Sequence, residues 1–340
     1  MDNPPSQTPE KTDVRYSVIA PVYNEQALCL DLCKQLGAAM DETGETYELI
    51  IVDDGSDDST HQLLIEESKS RPELRVVRLS RNFGQEPAVC GGIKLARGRE
   101  LILIDGDLQD PPTVILDMIA KKRQGYDVVF GKKKKRKEGI FRRLLTQIFY
   151  LLMHFFSQIR FPMDAGIFSL MDKEVGEWLT NFPEPNKHVS GLRTYIGFNQ
   201  GVVEYDRAPR AAGEEKNLYQ LIRMGLNAFF AFSMFPLRLV GGALFVVFLW
   251  GVGIIIHSLV MLSKSAPDAA VITTHADFFY AGCLTVFALT FGVMAEYLGR
   301  SFEMAKGRPT FIIDSVGANG RVERLSVDGK PSDGGRMPPA

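Results

Sequence analysis

The chain has 340 residues, 45% of them hydrophobic and 24% charged, with a formal net charge of −2. That length carries one large or two modest domains with a real core, and the near-balanced charge argues against nucleic-acid binding by the molecule as a whole. The four cysteines, Cys29, Cys33, Cys90 and Cys283, lack the second pair or nearby histidine of a zinc set. They read as buried small hydrophobes in a reducing compartment.

In chain order, residues 1–13 are polar and proline-containing, without the apolar core of a signal peptide, and read as a disordered lead. A short strand at 17–20 ends at Pro21-Val22-Tyr23-Asn24-Glu25, and an amphipathic helix follows to about residue 40. A second strand at 47–52 is stopped by Asp53-Asp54-Gly55-Ser56-Asp57-Asp58-Ser59-Thr60, where Ser59 or Thr60 is placed to cap a helix running to 69. A third strand at 74–79 leads through Ser80-Arg81-Asn82-Phe83-Gly84-Gln85 into a helix to 96, and Leu101-Ile102-Leu103-Ile104 is the fourth strand. This alternation predicts an α/β fold, a mainly parallel sheet with helices on both faces.

The fourth strand runs into Asp105-Gly106-Asp107-Leu108-Gln109-Asp110-Pro111-Pro112. Residues i and i+2 of an extended chain point the same way, so Asp105 and Asp107 are expected to face one pocket, with Gln109 adding a neutral oxygen if the extension continues. Hard oxygen donors of this kind suit Mg2+ or Mn2+, which take their remaining ligands from phosphates and water. Pro111-Pro112 stops the strand and can start a helix. Acidic groups also end the first two strands, at Glu25 and at Asp53 and Asp54. Carboxylates gathered on one sheet edge repel unless something positive or hydrogen-bonding lies between them, a need that a metal–nucleotide diphosphate meets. No Gly-x-Gly-x-x-Gly or P-loop follows the first strand, so an ordinary dinucleotide or ATP-hydrolysing site is not indicated.

Farther along, 132–137 is an unbroken basic run, followed at 140–159 by apolar residues at helical spacing. Such a pair fits an interfacial helix beside anionic headgroups, or a helix packed on the sheet next to a solvated loop. Residues 218–235, rich in Phe, form a second juxtamembrane candidate. Two uncharged stretches, 239–256 and 278–295, approach the ~20 residues that cross a hydrocarbon core. Arg223 and Arg238 precede the first, and Arg300, Lys306 and Arg308 follow the second, which by the positive-inside rule puts both long flanks in the cytosol. The connection at 263–277 is read as an outer loop, and the tail at 322–340 as loose.

Four segments, Ala20-Pro21-Val22-Tyr23-Asn24-Glu25, Ile51-Val52-Asp53-Asp54-Gly55-Ser56, Leu79-Ser80-Arg81-Asn82-Phe83-Gly84 and the Asp105 to Pro112 run, resemble inverting family 2 glycosyltransferases of GT-A fold. Within them the chain is similar to polyprenyl-phosphate glycosyltransferases: bactoprenol glucosyltransferases, dolichol-phosphate mannose synthases and undecaprenyl-phosphate aminoarabinose transferases. The likeness runs from about residue 16 to 308 and includes Tyr205-Asp206-Arg207-Ala208-Pro209-Arg210.

The resemblance implies that Pro21, Tyr23, Glu25, Val52 and Asp54 hold the nucleoside, with Asp53 close by. Asp105 and Gly106 lie against ribose or sugar, and Asp107 and Gln109 ligate a Mg2+ or Mn2+ ion that bridges the diphosphate. Asp164, in Met163-Asp164-Ala165-Gly166-Ile167-Phe168, lies beside the donor sugar, as a base or a positioning group. Arg210 and Lys216 close over phosphate, with Lys133 a weaker candidate. Asp105, Asp107 and Asp164 form the implied catalytic set. Ile167 and Ser169 replace the Asp and Arg usual in aminoarabinose-type sequences, which moves the expected donor toward UDP-glucose or GDP-mannose. The Gln-x-x-Arg-Trp signature of processive polymer synthases is absent.

The expected organisation is a lead at 1–13, a cytosolic GT-A domain at 14–216, a juxtamembrane helix at 217–236, two transmembrane helices at 237–300 and a cytosolic tail at 301–340. The implied setting is a bacterial inner membrane with both termini cytosolic, the partners a nucleotide sugar, a polyprenyl phosphate and a second copy of the chain in a symmetric homo-oligomer. The competing expectations are a GDP-mannose-dependent synthase and a non-catalytic membrane scaffold with a degenerate transferase domain.

Overall fold

The computed structural model describes residues 14–134, 165–184, 187–207, 235–263, 269–326 and 331–336. Asp164, Arg210, Lys216, the end of the basic run and both juxtamembrane candidates (apart from Phe235) lie outside these residues. The chain divides into two units: residues 1–138, 161–215 and 309–340 form one, residues 139–160 and 216–308 the other.

The first unit opens with β1 (Tyr16–Val22), α1 (Cys29–Asp41), β2 (Tyr47–Asp53), α2 (Thr60–Glu67), β3 (Leu74–Leu79), α3 (Gln85–Leu95) and β4 (Glu100–Leu103). It continues with α4 (Val114–Lys122), β5 (Val128–Lys133), β6 (Ala165–Asp172), α5 (Lys173–Asn181), α6 (Val189–Ile196) and β7 (Gln200–Tyr205). After the second unit come β8 (Ile313–Ala318), β9 (Arg321–Leu325) and β10 (Pro331–Arg336). Among the described residues ten strands make one sheet in the order β10-β9-β8-β3-β2-β1-β4-β6-β5-β7. All seven residues of β1 are buried, as a strand covered on both faces requires, which is why Tyr16–Val22 reads as an apolar run and not an alternation. On one face Val18, Leu49, Ile51 and Ile102 pack with Leu32, Leu36, Leu64 and Met118 from the helices.

The sheet is mixed where a mainly parallel one was expected. The β1–β2, β2–β3 and β1–β4 pairs at its centre are parallel, as are β5 and β7. β6 runs antiparallel to β4 and β5, and β8 runs antiparallel to β3. The described part of the tail is likewise paired: β8 and β9 meet through Ala318 and Arg321 across Asn319-Gly320, both at positive φ (51° and 71°). That is the geometry a two-residue hairpin demands, and Asn-Gly is the dipeptide that meets it most easily. The tail strands cover the β3 edge, whose N–H and C=O groups would otherwise face solvent.

At the end of the sheet where β1, β2 and β4 begin, Glu48 is buried and fully engaged. Its carboxylate accepts from the Ser17 hydroxyl (2.6 Å), the Arg97 amide (2.7 Å) and Arg75 Nη1 (2.8 Å). Burial raises the Glu48 carboxyl, but these donors outweigh it and hold the group below the ordinary range.

The second unit contains α7 (Phe235–Ser263) and α8 (Ala269–Ala305), 29 and 37 residues long. Phe235–His257 and Phe279–Ala305 are long and apolar enough to cross a membrane, with mean hydropathies of 2.6 and 1.6. Trp250 of α7 meets Phe279 of α8 edge-to-face at 5.8 Å. α8 begins at Ala269, so most of the stretch read as an outer loop is helical. Polar Thr273, Thr274, His275 and Asp277 break an apolar run without breaking a helix.

Replacing buried Glu48 with Gln removes the carboxylate that partners the half-buried Arg75 and is expected to destabilise the first unit by about 3 kcal/mol. Arg97→Gln, whose side chain is half exposed, is expected to cost about 1 kcal/mol or less. Denaturant unfolding of the two variants in detergent checks the order.

Candidate active site

The tips of β1, β2 and β4 meet at one end of the sheet, and each tip carries part of the site. The loops after β1 and β2 are locked to each other by side chain to main chain hydrogen bonds. The Asn24 amide donates to Ser56 Oγ (2.9 Å), the Glu25 amide to Thr60 Oγ1 (3.0 Å), and Asn24 Oδ1 accepts from the Asp57 amide (3.0 Å). Asn24 takes the positive φ of 53° that this turn needs, a conformation Asn tolerates better than most residues. Ser59 precedes α2 without making a capping bond; Asp58 does that work instead, accepting from the Thr60 amide at 2.9 Å.

Asp54 ties a third loop to this pair. Its two oxygens accept the amides of Phe83 and Gly84 at 2.8 Å each, at the entrance to α3. Burial raises the Asp54 carboxyl above its ordinary value despite these bonds. Asp53 is turned inward: Oδ1 accepts the Ser56 amide (2.9 Å), and Oδ2 faces His61 Nδ1 (3.4 Å) and Arg78 Nε (3.6 Å). Val52 is fully buried, whereas Tyr23 is 40% exposed, with its hydroxyl 3.5 Å from Asp57. Of the residues expected to hold a nucleoside, Tyr23 is thus the one presenting an open side-chain face, while Asp53 and Asp54 hold the loops around it.

β4 ends at Leu103; Asp105 lies beyond the strand and Asp107 in the turn that follows, not in an extension. Leu108 has a φ of 55°, and Asp107 Oδ1 accepts the Gln109 amide at 3.1 Å, which closes the turn on itself. The carboxylates therefore converge by turning, not by strand alternation, and Gln109 follows them as a buried residue. Gly106 lies directly on the Pro21 carbonyl oxygen, and a Cβ there would also come within 2.8 Å of Val22 Cγ1. Only glycine lets the two strand tips approach this closely.

Asp105, Asp107 and Asp110 surround Arg207, two residues beyond the end of β7. Arg207 Nη2 lies 3.4 Å from Asp105 and 3.7 Å from Asp107, and its Nε lies 3.1 Å from Asp110 Oδ1. The same Asp110 oxygen accepts the Tyr205 hydroxyl at 2.7 Å, and Gln85, at the start of α3, donates to Asp105. Lys133 adds positive charge to the surroundings of Asp105. Burial, with Asp110 and Asp107 close by, pushes the Asp105 carboxyl up to about 7. Asp110 Oδ2 is buried with no hydrogen-bond partner.

Three carboxylates against Arg207 and Lys133 leave negative charge uncompensated, which is the condition for taking up a cation. Asp107, still partly exposed, and Asp105 offer hard oxygens that fit Mg2+ or Mn2+. Among the described residues no three His, Cys, Asp or Glu side chains form a metal cage. The remaining ligands must come from water or a bound diphosphate.

Asp110, Arg207, Tyr205 and Gln85 were not assigned roles from the sequence. A signal for two of them was present: Tyr205 and Arg207 are i and i+2 at the end of a strand and reach the same side. On α3, Glu86 accepts the Val189 amide (2.9 Å) and meets His188 Nδ1 (3.1 Å), which docks the α6 start beside Gln85. Arg193 of α6 is fully buried, donates to the Gly166 carbonyl at 3.3 Å and lies over the Phe130 ring.

Comparison with known proteins agrees with this architecture. Residues 17–178 match the model of glycosyl transferase family 2. An uncharacterized glycosyltransferase of Bacillus subtilis (strain 168), YkcC, is 36% identical over 306 residues, 88% of this chain and 93% of its own. A bactoprenol glucosyl transferase of Shigella phage SfII is 33% identical over 308 residues, 88% of this chain and 97% of its own. Among solved structures, glucosyl-3-phosphoglycerate synthase from Mycobacterium tuberculosis with Mn2+, UDP and phosphoglyceric acid is a distant likeness. It has a TM-score of 0.47 and 18% identity over 65% of this chain and 78% of that one. The chain belongs to glycosyl transferase family 2, and it is a glycosyltransferase built on a mixed α/β sheet.

Two outcomes follow from the turn after β4. Gly106→Ala is expected to drive residues 105–110 off the Pro21 carbonyl and weaken nucleotide binding at least ~10-fold, the loss that ~1.4 kcal/mol produces. Calorimetry with UDP and Mn2+ measures this, with circular dichroism as the folding control. The raised Asp105 carboxyl favours the folded state below the unfolded value of 3.8, and that contribution is lost as pH rises through about 7. The ligand-free wild type should therefore lose thermal stability between pH 5 and about 8, and Asp105→Asn should flatten that slope.

Proposed function

We propose that this glycosyltransferase moves one hexose from a nucleoside diphosphate sugar onto a polyprenyl phosphate at a membrane surface, with inversion at the anomeric carbon. The observation that carries this reading is the convergence of Asp105, Asp107 and Asp110 on Arg207, a negative cluster at strand tips with its charge incompletely neutralised. The acceptor class is supported by two helices with membrane-crossing length and hydropathy, and by relatives of nearly equal length named bactoprenol glucosyl transferases. UDP-glucose is the donor favoured by those names, with GDP-mannose the alternative.

The chain's own residues divide the work. The interlocked loops after β1 and β2, with Tyr23 exposed beside them, receive the nucleoside; Asp54 keeps the 83–84 loop closed behind it. Asp107, with Asp105, holds a Mg2+ or Mn2+ ion, which when bound neutralises charge on the departing diphosphate. Gln109 belongs to the same proposed set of ligands. Asp164, Arg210 and Lys216 are proposed for the sugar and phosphate sides of the pocket.

The nucleophile is a lipid phosphate oxygen. With a second pKa near ~6 that phosphate is largely dianionic at neutral pH, so a strong general base is not required. Positioning and charge stabilisation then carry the rate, and Asp164 need only orient the sugar. The proposed setting is the inner face of a bacterial cytoplasmic membrane, with the sheet and both termini in the cytosol and the protein assembled as a homo-oligomer.

The test is a donor panel with undecaprenyl phosphate in detergent, the product followed by chloroform–methanol partitioning. UDP-glucose is expected to lead, Asp107→Asn to abolish transfer, and excess chelator to stop it. Turnover with GDP-mannose alone replaces the donor assignment. A labelled product that stays in the aqueous phase rejects the lipid acceptor, and full activity in Asp107→Asn rejects the metal role.

A further inference from the structure

The acidic cluster already contains a cation, and it is part of the chain. Arg207 reaches all three carboxylates, yet none of its contacts is a short, paired bridge. Nη2 stands 3.4 Å from Asp105 and 3.7 Å from Asp107, longer than the charge-assisted bonds a guanidinium makes when seated bidentately. Its Nε, 3.1 Å from Asp110 Oδ1, is buried without hydrogen-bond geometry, while Tyr205 donates to that oxygen at 2.7 Å. The guanidinium makes one long hydrogen bond, from Nη2 to Asp105, and is otherwise held there by charge.

We propose that Arg207 is a placeholder cation, which keeps Asp105, Asp107 and Asp110 assembled in the ligand-free enzyme and gives up Asp107 when a divalent metal arrives with the nucleotide diphosphate. This rests on the reading of the cluster as the metal–diphosphate site. A metal ion alone must displace the arginine from Asp107, the more distant of its two Nη2 contacts, against the repulsion of a nearby positive charge. A metal carrying a diphosphate offers the displaced guanidinium new oxygens, so that repulsion turns into attraction. Metal and nucleotide then bind with positive coupling, and the site stays closed to free metal. Asp110, itself held by the Tyr205 hydroxyl, keeps its charge beside Nε throughout, so the movement is confined to the end of the side chain.

The experiment is a Mn2+ titration of the full chain in detergent, reading free Mn2+ by electron paramagnetic resonance, with and without UDP. UDP is expected to tighten Mn2+ binding about tenfold or more in the wild type, within the usual range of site-to-site coupling. Arg207→Gln is expected to bind Mn2+ alone about tenfold more tightly than wild type, with the effect of UDP correspondingly reduced. Arg207→Lys, whose single ammonium cannot reach all three carboxylates, should fall between, and it serves as the variant of record if Arg207→Gln does not fold. Mn2+ affinity without nucleotide that is unchanged or weaker in the variant used overturns the proposal. Failure of UDP to bind the wild type, with or without Mn2+, is read from a separate UDP isotherm. It counts against the nucleotide-site reading, while tighter Mn2+ binding by the variant would still support the placeholder role.

Discussion

Negative charge crowded at the end of one buried strand is the constraint on which the rest of the site depends. β4 is apolar and central, so its tip is fixed by packing on both faces, and the carboxylates that follow cannot spread into solvent. Gly106 tightens this further by seating the turn on the Pro21 carbonyl. The opposing forces come from other elements: Gln85 from α3, Tyr205 and Arg207 from β7 and its continuation, and Lys133 from β5. Those elements are distant in sequence and meet only because the sheet brings their ends together. The arrangement balances charge incompletely, and burial together with the neighbouring Asp110 and Asp107 raises the Asp105 carboxyl.

Around this cluster the loops are organised by their own side chains. Asn24, Ser56, Asp57 and Thr60 hold the first two loops together, and Asp54 fastens the third through the amides of Phe83 and Gly84. Much of the polar richness of these segments is thus spent on main-chain hydrogen bonds. In the proposed reading, loops ordered in this way lose less entropy when a nucleotide binds.

The central β1–α1–β2–α2–β3–α3–β4 unit was legible because each strand is a compact apolar run ended by polar turn residues, and each helix keeps an apolar stripe. The strand at Leu74–Leu79 was placed to the residue. The family was legible too, from four short segments in order. What escaped was of two kinds. Contacts among distant residues, such as Arg207 with Asp105 and Asp110, depend on which strand tips are neighbours, and sequence order does not tell that β7 ends near β4. The tail strands were different: Asn319-Gly320 between Val316 and Val322 is a hairpin signal in plain view, outweighed by the glycines and prolines that follow it. The turn at Asp105–Asp107 shows a third effect, in which a correct convergence was expected for an incorrect reason. Alternation along a strand and a turn closed by Asp107 on the Gln109 amide both bring the carboxylates together, but only the turn requires glycine between them.

The antiparallel pairing of β8 with β3 carries a consequence for the path of the chain. β3 precedes both long apolar helices and β8 follows them, yet the two strands exchange hydrogen bonds in one sheet. A polypeptide that leaves an aqueous compartment and later adds a neighbouring strand to the sheet it left has come home. Any passage through a bilayer made by the segment between the two strands must be matched by a second, so a solitary passage is forbidden by parity alone.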